Sequence, residues 1–161
     1  MPGTLRKIQG FFLDRPPNFS EFNDKIVASG LPSQKKHMRY LKNRGVSAII
    51  SLTENPLPKE LADDFAYFHF PLKDHQPAHP SSLLEIVKKL EELCERGHRV
   101  LVHCQAGYGR TGMVLTAYTM WKKRLGWRAA LDVVRSVRPG SVEAGQEKSL
   151  SEFEELVKAG S

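Results

Sequence analysis

The feature that most constrains this chain is the stretch at residues 100–112, which reads VLVHCQAGYGRTG. It begins with a short apolar run typical of a buried strand, and from Arg110 onward its residues favour a helix. The loop between them contains Gly107 and Gly109, which tolerate the positive φ angles of a tight loop. A strand, a glycine-containing loop and a helix N-terminus in this order predict an α/β fold that binds a ligand at the carboxyl end of a strand.

The same loop carries the groups needed to bind and attack a phosphate. Cys104 ends the predicted strand, and Arg110 follows six positions later. A planar guanidinium holds two phosphate oxygens at once, and a cation beside a helix N-terminus favours the thiolate form of cysteine. The backbone N–H groups of the intervening residues are predicted to surround the anion; these residues are Gln105, Ala106, Gly107, Tyr108 and Gly109.

Three other interpretations compete for this stretch. Gly107, Gly109 and Gly112 also match the GxGxxG pattern of dinucleotide-binding loops, with Asp132 at a suitable distance for a ribose contact. Asp132 lies in an amphipathic helical pattern, however, and not at a strand end. A Walker loop would need Lys and Ser or Thr where this chain has Met-Val. A purely structural buried cysteine would leave the arginine and the glycines unexplained.

The segment HCQAGYGRTG at residues 103–112 resembles the HCxxGxxRTG signature of cysteine-dependent protein tyrosine phosphatases. Within that superfamily, three further motifs resemble the small dual-specificity phosphatases, namely PPNFS at 16–20, SLTE at 51–54 and RPGSVE at 138–143. The resemblance extends from about Pro16 to Glu152. It implies a single domain with an α/β fold, and the alternation of strands and helices along the chain likewise predicts a central, mainly parallel sheet flanked by helices. Residues 1–15 would form an N-terminal extension, and residues 16–161 the catalytic domain.

The resemblance also implies hydrolysis of phosphotyrosine, and of phosphoserine and phosphothreonine, through a phosphocysteine intermediate. Cys104 would be the nucleophile and Arg110 the phosphate clamp. This route needs a proton donor for the leaving oxygen and then a base for water. By similarity to the family, Asp74, in the loop after a predicted strand, takes both roles. Asp63 and Asp64 are the alternatives, but they precede that strand and would lie at its other end.

Three further residues have supporting roles in this hypothesis. As in the resembled family, the Thr111 hydroxyl could hydrogen-bond the sulfur and ease its departure; the alternative is an ordinary threonine of a first helical turn. His103 points to the opposite side of the strand from the nucleophile and is predicted to orient the loop or to tune the pKa of the cysteine indirectly. Gln146 is a candidate for positioning the hydrolytic water, although its segment EAGQE is one residue shorter than the family's ETYEQE and lacks Thr and Tyr.

No cofactor and no metal ion are expected. His69, His75 and His79 lie near the predicted acid loop, but no cysteine or carboxylate pattern accompanies them as a zinc site would require. Cys94 falls on the apolar face of a predicted helix and is expected to be core. A redox role as the partner of an oxidised Cys104 is the alternative.

Charge and loop composition narrow the expected partners to phosphorylated proteins. The net charge of +6 favours anions, but the basic residues are spread as on solvated helix faces, so no nucleic-acid partner is expected. Gln105 and Tyr108 stand where related lipid phosphatases carry lysines, and the loop differs from the HCTHGxNRTG form of RNA 5′-triphosphatases. A phosphoinositide or RNA 5′-phosphatase of the same fold, and a non-catalytic phosphate-binding module, remain alternatives.

The chain has no apolar run long enough to span a bilayer and no signal-like segment at its N-terminus. Its two cysteines do not make a disulfide framework. We therefore expect a cytoplasmic monomer, with the nucleus as a further location.

Apolar patterning and capping signals predict the elements around the loop. A capping box of Ser82 and Glu85 is expected to begin one helix, and Ser33 to cap another. The predicted strands are 25–29, 46–52, 65–72 and one that begins at 100, and the predicted helices are 33–44, 82–96, 110–124, 128–137 and 147–159.

Overall fold

The computed structural model describes residues 14–160, so residues 1–13 of the predicted N-terminal extension lie outside the described residues. Strands and helices alternate along most of the chain. The elements are β1 (Ser20–Glu21), β2 (Ile26–Ser29), α1 (Lys35–Asn43), β3 (Val46–Ser51), α2 (Lys59–Ala62), β4 (Ala66–His69), α3 (Pro80–Glu95), β5 (Arg99–His103), α4 (Gly109–Lys123), α5 (Trp127–Val137) and α6 (Glu147–Ala159).

The strands form one sheet in the order β1-β2-β5-β3-β4. Strand β1 is antiparallel to β2, and the other neighbouring strands are parallel. The predicted fold class, a mainly parallel sheet flanked by helices, is therefore confirmed. At the carboxyl edge, His103 of the central strand β5 pairs with Ser29 on one side and Ser51 on the other. The residues that follow β5 consequently emerge in the middle of this edge.

Alternating strand residues build two cores, as the period of a β-strand requires. One face of the sheet, with Ala28, Ile50 and Val102, joins the larger cluster with residues of α3, α4, α5 and α6. The other face, with Ile49 and Leu101, packs with the apolar residues of α1 and α2. Helix α4 is buried from Gly109 to Met120, which explains why its sequence is apolar on several sides.

Two helix starts differ from the prediction. Helix α3 begins at Pro80 and not at Ser82, because His79 is the N-cap and its ring accepts the N–H of Ser81. A proline in the first turn suits a helix start, since its missing N–H would have no helical partner there. Helix α1 is capped at Gln34, so the predicted Ser33 cap is wrong.

Strand β4 is shorter than the predicted strand 65–72. Its last ladder pair joins His69 to Ser51, the final residue of β3. Beyond that point the chain keeps only single backbone hydrogen bonds to the neighbouring segment, from Phe70 N–H to Ser51 O and from Leu72 N–H to Leu52 O. These bonds carry the chain toward the carboxyl edge, where Cys104 lies.

Candidate active site

The sulfur of Cys104 lies at the carboxyl end of β5, directly before the glycine-containing loop. The residue is 2% exposed. Its Sγ accepts two hydrogen bonds, one from the backbone N–H of Gly107 at 3.2 Å and one from the hydroxyl of Thr111 at 3.0 Å. The loop and the first turn of α4 therefore both turn donors toward the sulfur, an arrangement that suits an anion bound in front of it.

The path of the loop depends on a close approach between its backbone at Gly107 and the backbone at Gly30. Gly107 has a φ of +88°, which side-chain-bearing residues rarely adopt, and a Cβ placed on it would lie 2.6 Å from the backbone nitrogen of Gly30. Conversely, a Cβ on Gly30 would lie 2.8 Å from the carbonyl oxygen of Gln105. Both positions thus require glycine, and the loop rests directly on the end of β2.

Arg110 is a buried cation, 2% exposed, and the two terminal nitrogens of its guanidinium contact other residues of the chain. Its Nη1 donates to Glu54 Oε1 at 2.8 Å and to the carbonyl oxygen of Leu72 at 3.2 Å, and its Nη2 lies 3.4 Å from Asp74 Oδ2. Its Nε is buried without a hydrogen-bond partner among the residues that the structure describes. A buried donor without a partner is costly. An oxyanion ligand would satisfy it.

The structure brings the predicted acid Asp74 to this arginine. Its carboxylate is 38% exposed and its Oδ1 accepts the N–H of His75 at 3.0 Å. The alternative acids lie elsewhere: Asp63 and Asp64 precede β4, which runs parallel to its one neighbour β3, so they lie toward the opposite edge of the sheet from Cys104. Asp64 forms an ion pair there with Lys42 at 3.3 Å. Of the three aspartates, Asp74 alone contacts the candidate site.

His75 joins the acid loop to the segment that precedes α6. Its Nδ1 donates to Glu143 Oε2 at 2.8 Å, and its Nε2 lies 3.3 Å from Asp74 Oδ2. The hydrogen bond to Glu143 and the charges of both carboxylates raise the pKa of His75 above its usual value. Donor atoms of these three residues lie within 4.8 Å of one another. Each ring nitrogen of His75 already contacts a carboxylate, however, so the three residues form a network of ion pairs and not an open set of metal ligands.

The three histidines considered in the sequence do not come together as ligands of one ion. His69 Nε2 donates to the carbonyl oxygen of Thr53 at 2.6 Å, and His79 caps α3. His75 is occupied by Asp74 and Glu143. Each ring therefore has a structural or electrostatic contact of its own.

His103 is completely buried behind the loop. Its Nδ1 donates to the carbonyl oxygen of Cys104 at 3.1 Å, so its Nε2 accepts the hydroxyl of Ser51 on the neighbouring strand. Burial lowers the pKa of His103 to about 4, and the ring is neutral at physiological pH. These two hydrogen bonds join the end of β5 to β3, and the orienting role of this histidine stays a prediction.

Gln146 is fully buried against the loop. A Cβ on Gly109 would lie 2.9 Å from its Oε1, so the amide packs directly on the start of α4. Its Oε1 accepts the N–H of Glu143 at 2.8 Å, and its Nε2 donates to the carbonyl oxygen of Gln76 at 3.4 Å. The amide therefore links the acid loop to the segment before α6. Water positioning by Gln146 stays a prediction.

Two other residues weighed in the sequence lie away from the site. Asp132 is exposed in the middle of α5 and follows no strand, which removes the ribose contact of the dinucleotide alternative. Cys94 is buried near the amino ends of the strands; its pKa is raised by burial and then by Glu91, while Lys25 lowers it. Both cysteines are free thiols, and a redox role for Cys94 stays a prediction.

Sequence reasoning missed three residues that hold this site together: Asn18, Glu54 and Arg138. Each lies in one of the motifs quoted for the family resemblance, but no chemical pattern in the sequence gave them a role. Glu54 pairs with the arginine, and the other two bind the outer side of the loop. A charged residue at the carboxyl end of a buried strand, as Glu54 is, was the available signal.

A cysteine at the end of the central parallel strand, facing loop N–H groups and a buried arginine, defines the class of cysteine-dependent phosphatases. Residues 31–156 match the family described as "Dual specificity phosphatase, catalytic domain". The chain belongs to the dual specificity phosphatase family.

Individual relatives agree with this assignment. Human dual specificity protein phosphatase 15 is 32% identical over 121 residues, which cover 73% of this chain and 40% of that protein. The crystal structure of Tk-PTP in the active form superposes with a TM-score of 0.78 at 30% identity and covers 86% of this chain and 97% of that one. PTPMT1 in complex with PI(5)P shares the fold, with a TM-score of 0.78 at 18% identity over 88% of this chain and 97% of that one.

The chain spans less than half the length of dual specificity protein phosphatase 15, and about a quarter or less of several other curated relatives that it matches. Within residues 14–160, no helix combines the length and the apolar composition needed to cross a membrane.

Proposed function

We propose that this chain hydrolyses phosphate monoesters on proteins through a phosphocysteine intermediate. The observation that carries the proposal is the environment of Cys104, whose sulfur accepts hydrogen bonds from a loop N–H and from Thr111 beside a buried arginine with an unsatisfied Nε. A protein that only captured phosphate would need the donors and the arginine but would have no use for a nucleophile among them.

In the first step, the thiolate of Cys104 attacks phosphorus and the bond from phosphorus to the ester oxygen breaks. Asp74 donates its proton to that oxygen, which leaves as an alcohol or a phenol. Loop N–H groups and the guanidinium of Arg110 stabilise the charge on the equatorial oxygens. In the second step, Asp74 takes a proton from water, the resulting hydroxyl bonds to phosphorus, and the sulfur departs as a thiolate that Thr111 stabilises.

Phosphorylated proteins are the substrates that the site suits best, with phosphotyrosine and also phosphoserine and phosphothreonine as targets. Gln105 and Tyr108 place no positive charge in the loop. The exposed carboxylate of Glu54 pairs with Arg110, and the half-buried carboxylate of Glu143 pairs with His75, which in turn lies 3.3 Å from Asp74. These features disfavour a polyanionic headgroup such as the one that PTPMT1 binds, because its additional phosphates would face negative charge.

The deciding comparison uses the intact chain, Cys104→Ser and the matched control Cys94→Ala with p-nitrophenyl phosphate. We expect Cys104→Ser to lose turnover while still binding phosphate, and Cys94→Ala to stay active. Equal turnover by the intact chain and Cys104→Ser would eliminate the cysteine mechanism.

A substrate panel then tests the specificity with phosphotyrosine, phosphoserine and phosphothreonine peptides, phosphoinositides and RNA with a 5′-triphosphate. Turnover of the phosphopeptides above the other substrates is expected. Faster hydrolysis of phosphoinositides or RNA would replace the protein substrate with that class. The monomeric state and the cytoplasmic location stay predictions.

A further inference from the structure

The carbonyl oxygens of the phosphate loop are bound from its outer side. Gln105 O accepts the N–H of Leu31 at 3.0 Å. The side-chain amide of Asn18 donates to Ala106 O at 3.4 Å and to Gly107 O at 3.3 Å. Nη2 of Arg138 donates a short hydrogen bond to the same Gly107 oxygen.

Outward carbonyls turn the following N–H groups inward, because C=O and N–H point in opposite directions across a trans peptide. The three held carbonyls thus aim the N–H groups of Ala106, Gly107 and Tyr108 toward the sulfur side. The backbone nitrogen of Gly107 agrees with this direction, since it donates to Cys104 Sγ at 3.2 Å. The loop therefore holds its donors in place without a bound anion.

We propose that Asn18 and Arg138 are positioning residues that set the phosphate-binding form of this loop. The inference rests on the proposed function, and it concerns residues that donate hydrogen bonds to the outward carbonyl oxygens of the loop. They act through the loop peptides to which they donate.

Arg138 can do this because its guanidinium is buried and donates hydrogen bonds to several parts of the chain at once. The residue is 2% exposed. Its Nη1 donates to the carbonyl oxygen of Asn18 at 2.9 Å, to the hydroxyl of Ser20, and to the carbonyl oxygen of Ala28 at 3.4 Å. The guanidinium thus joins the segment before β1, strand β2 and the loop. It also places a positive charge at the carbonyl oxygen of the peptide between Gly107 and Tyr108. A cation there polarises the peptide so that its N–H end becomes a better anion donor.

Asn18 completes the same arrangement from the N-terminal side. It adopts a left-handed backbone conformation with φ of 55°, which asparagine tolerates better than most residues. Its amide reaches two consecutive loop carbonyls, and its own carbonyl oxygen is held by Arg138. The two side chains are therefore coupled.

The test compares Asn18→Ala and Arg138→Met with matched controls elsewhere in the fold. Asn23→Ala is the control for asparagine, because Asn23 Oδ1 accepts the N–H groups of Lys25 and Ile26 at 2.8 Å, away from the loop. Arg99→Met is the control for arginine, because Arg99 donates to Arg44 O at 3.0 Å and pairs with Glu21.

Two readouts are independent of turnover: the affinity for inorganic phosphate measured by calorimetry, and the rate at which iodoacetate alkylates Cys104 between pH 5 and 8. We expect Asn18→Ala and Arg138→Met to weaken phosphate binding about three- to tenfold, the effect of one lost hydrogen bond, and to slow the alkylation of Cys104. The two controls should lower only the thermal unfolding midpoint.

Asn18→Ala decides the matter if Arg138→Met does not fold. The proposal is overturned if a folded Asn18→Ala binds phosphate and reacts with iodoacetate as Asn23→Ala does, since its role would then be structural alone. A failure of the proposed function looks different: the intact chain would turn over no phosphate ester, while phosphate affinity and alkylation would still report on the loop.

Discussion

The hydroxyl of Thr111 donates a hydrogen bond to the sulfur of Cys104 over 3.0 Å. This bond stabilises a thiolate, and so it helps most when the sulfur leaves the phosphocysteine. Removing a hydrogen bond to a charged group costs about 1.5–3 kcal/mol, so we expect Thr111→Val to lower kcat about tenfold or more. The slower second step should produce a burst of p-nitrophenol in rapid-mixing experiments.

The control is Thr116→Val in the same helix, where the buried hydroxyl donates to the carbonyl oxygen of Gly112 at 2.7 Å. It should show neither the burst nor the loss of kcat. Unchanged kinetics in Thr111→Val would remove this residue from the chemistry.

Asp74 should matter most when the leaving oxygen needs a proton. We expect Asp74→Asn to reduce turnover of phenyl phosphate by about 10²–10⁴-fold, the usual contribution of general acid catalysis, and to reduce turnover of the more activated p-nitrophenyl ester far less. Asp63→Asn is the control and should behave like the intact chain. A uniform loss for both esters would mean that Asp74 does not supply the proton.

Glu54 should act by holding Arg110. Its Oε1 accepts Nη1 of the arginine at 2.8 Å, although the Glu54 side chain itself is 62% exposed. Solvent weakens such a pair, so Glu54→Gln should lower kcat/KM by only about three- to tenfold, a single modest hydrogen bond. Asp64→Asn breaks the exposed pair with Lys42 and should leave kcat/KM unchanged. Equal kinetics for both variants would show that the carboxylate does not orient the arginine.

His103 should make the fold sensitive to acid. Its pKa of about 4 lies below the ordinary 6.5, so between these values the unfolded chain binds the additional proton and the native state loses stability as the pH falls. The loss from this group is about 2 kcal/mol between pH 7 and pH 5. Urea unfolding should show that His103→Gln has a smaller drop over this interval. The same drop in both proteins would contradict a neutral, buried ring.

The fold was largely predictable because its signals are local. Continuous apolar strands, helical periodicity and the stretch at residues 100–112 depend on neighbours in sequence, and they predicted the mainly parallel sheet. Helix starts were harder to predict. Ser82 with Glu85 fits one capping pattern, and His79 with Pro80 fits another. The contact that selects the second, from Ser81 N–H to the ring of His79, is visible only in the structure.

The supporting residues of the site could not be predicted because their partners are remote. Arg138 contacts Asn18 across 120 positions, and Arg110 contacts Glu54 across 56. No spacing rule joins such residues. Cys104 and Arg110 were accessible because one loop contains both, whereas the role of Asp74 came only from the resemblance and its contact with Arg110 only from the structure.

The central claim is a covalent bond between the sulfur of Cys104 and phosphorus during turnover. The most direct measurement is a rapid denaturing quench of the chain reacting with a labelled phosphate ester, followed by mass spectrometry of its peptides. We expect one phosphate on the peptide that contains Cys104, in larger amount in Thr111→Val and absent in Cys104→Ser. Turnover with no phosphopeptide in Thr111→Val, or with the phosphate on another residue, would contradict it.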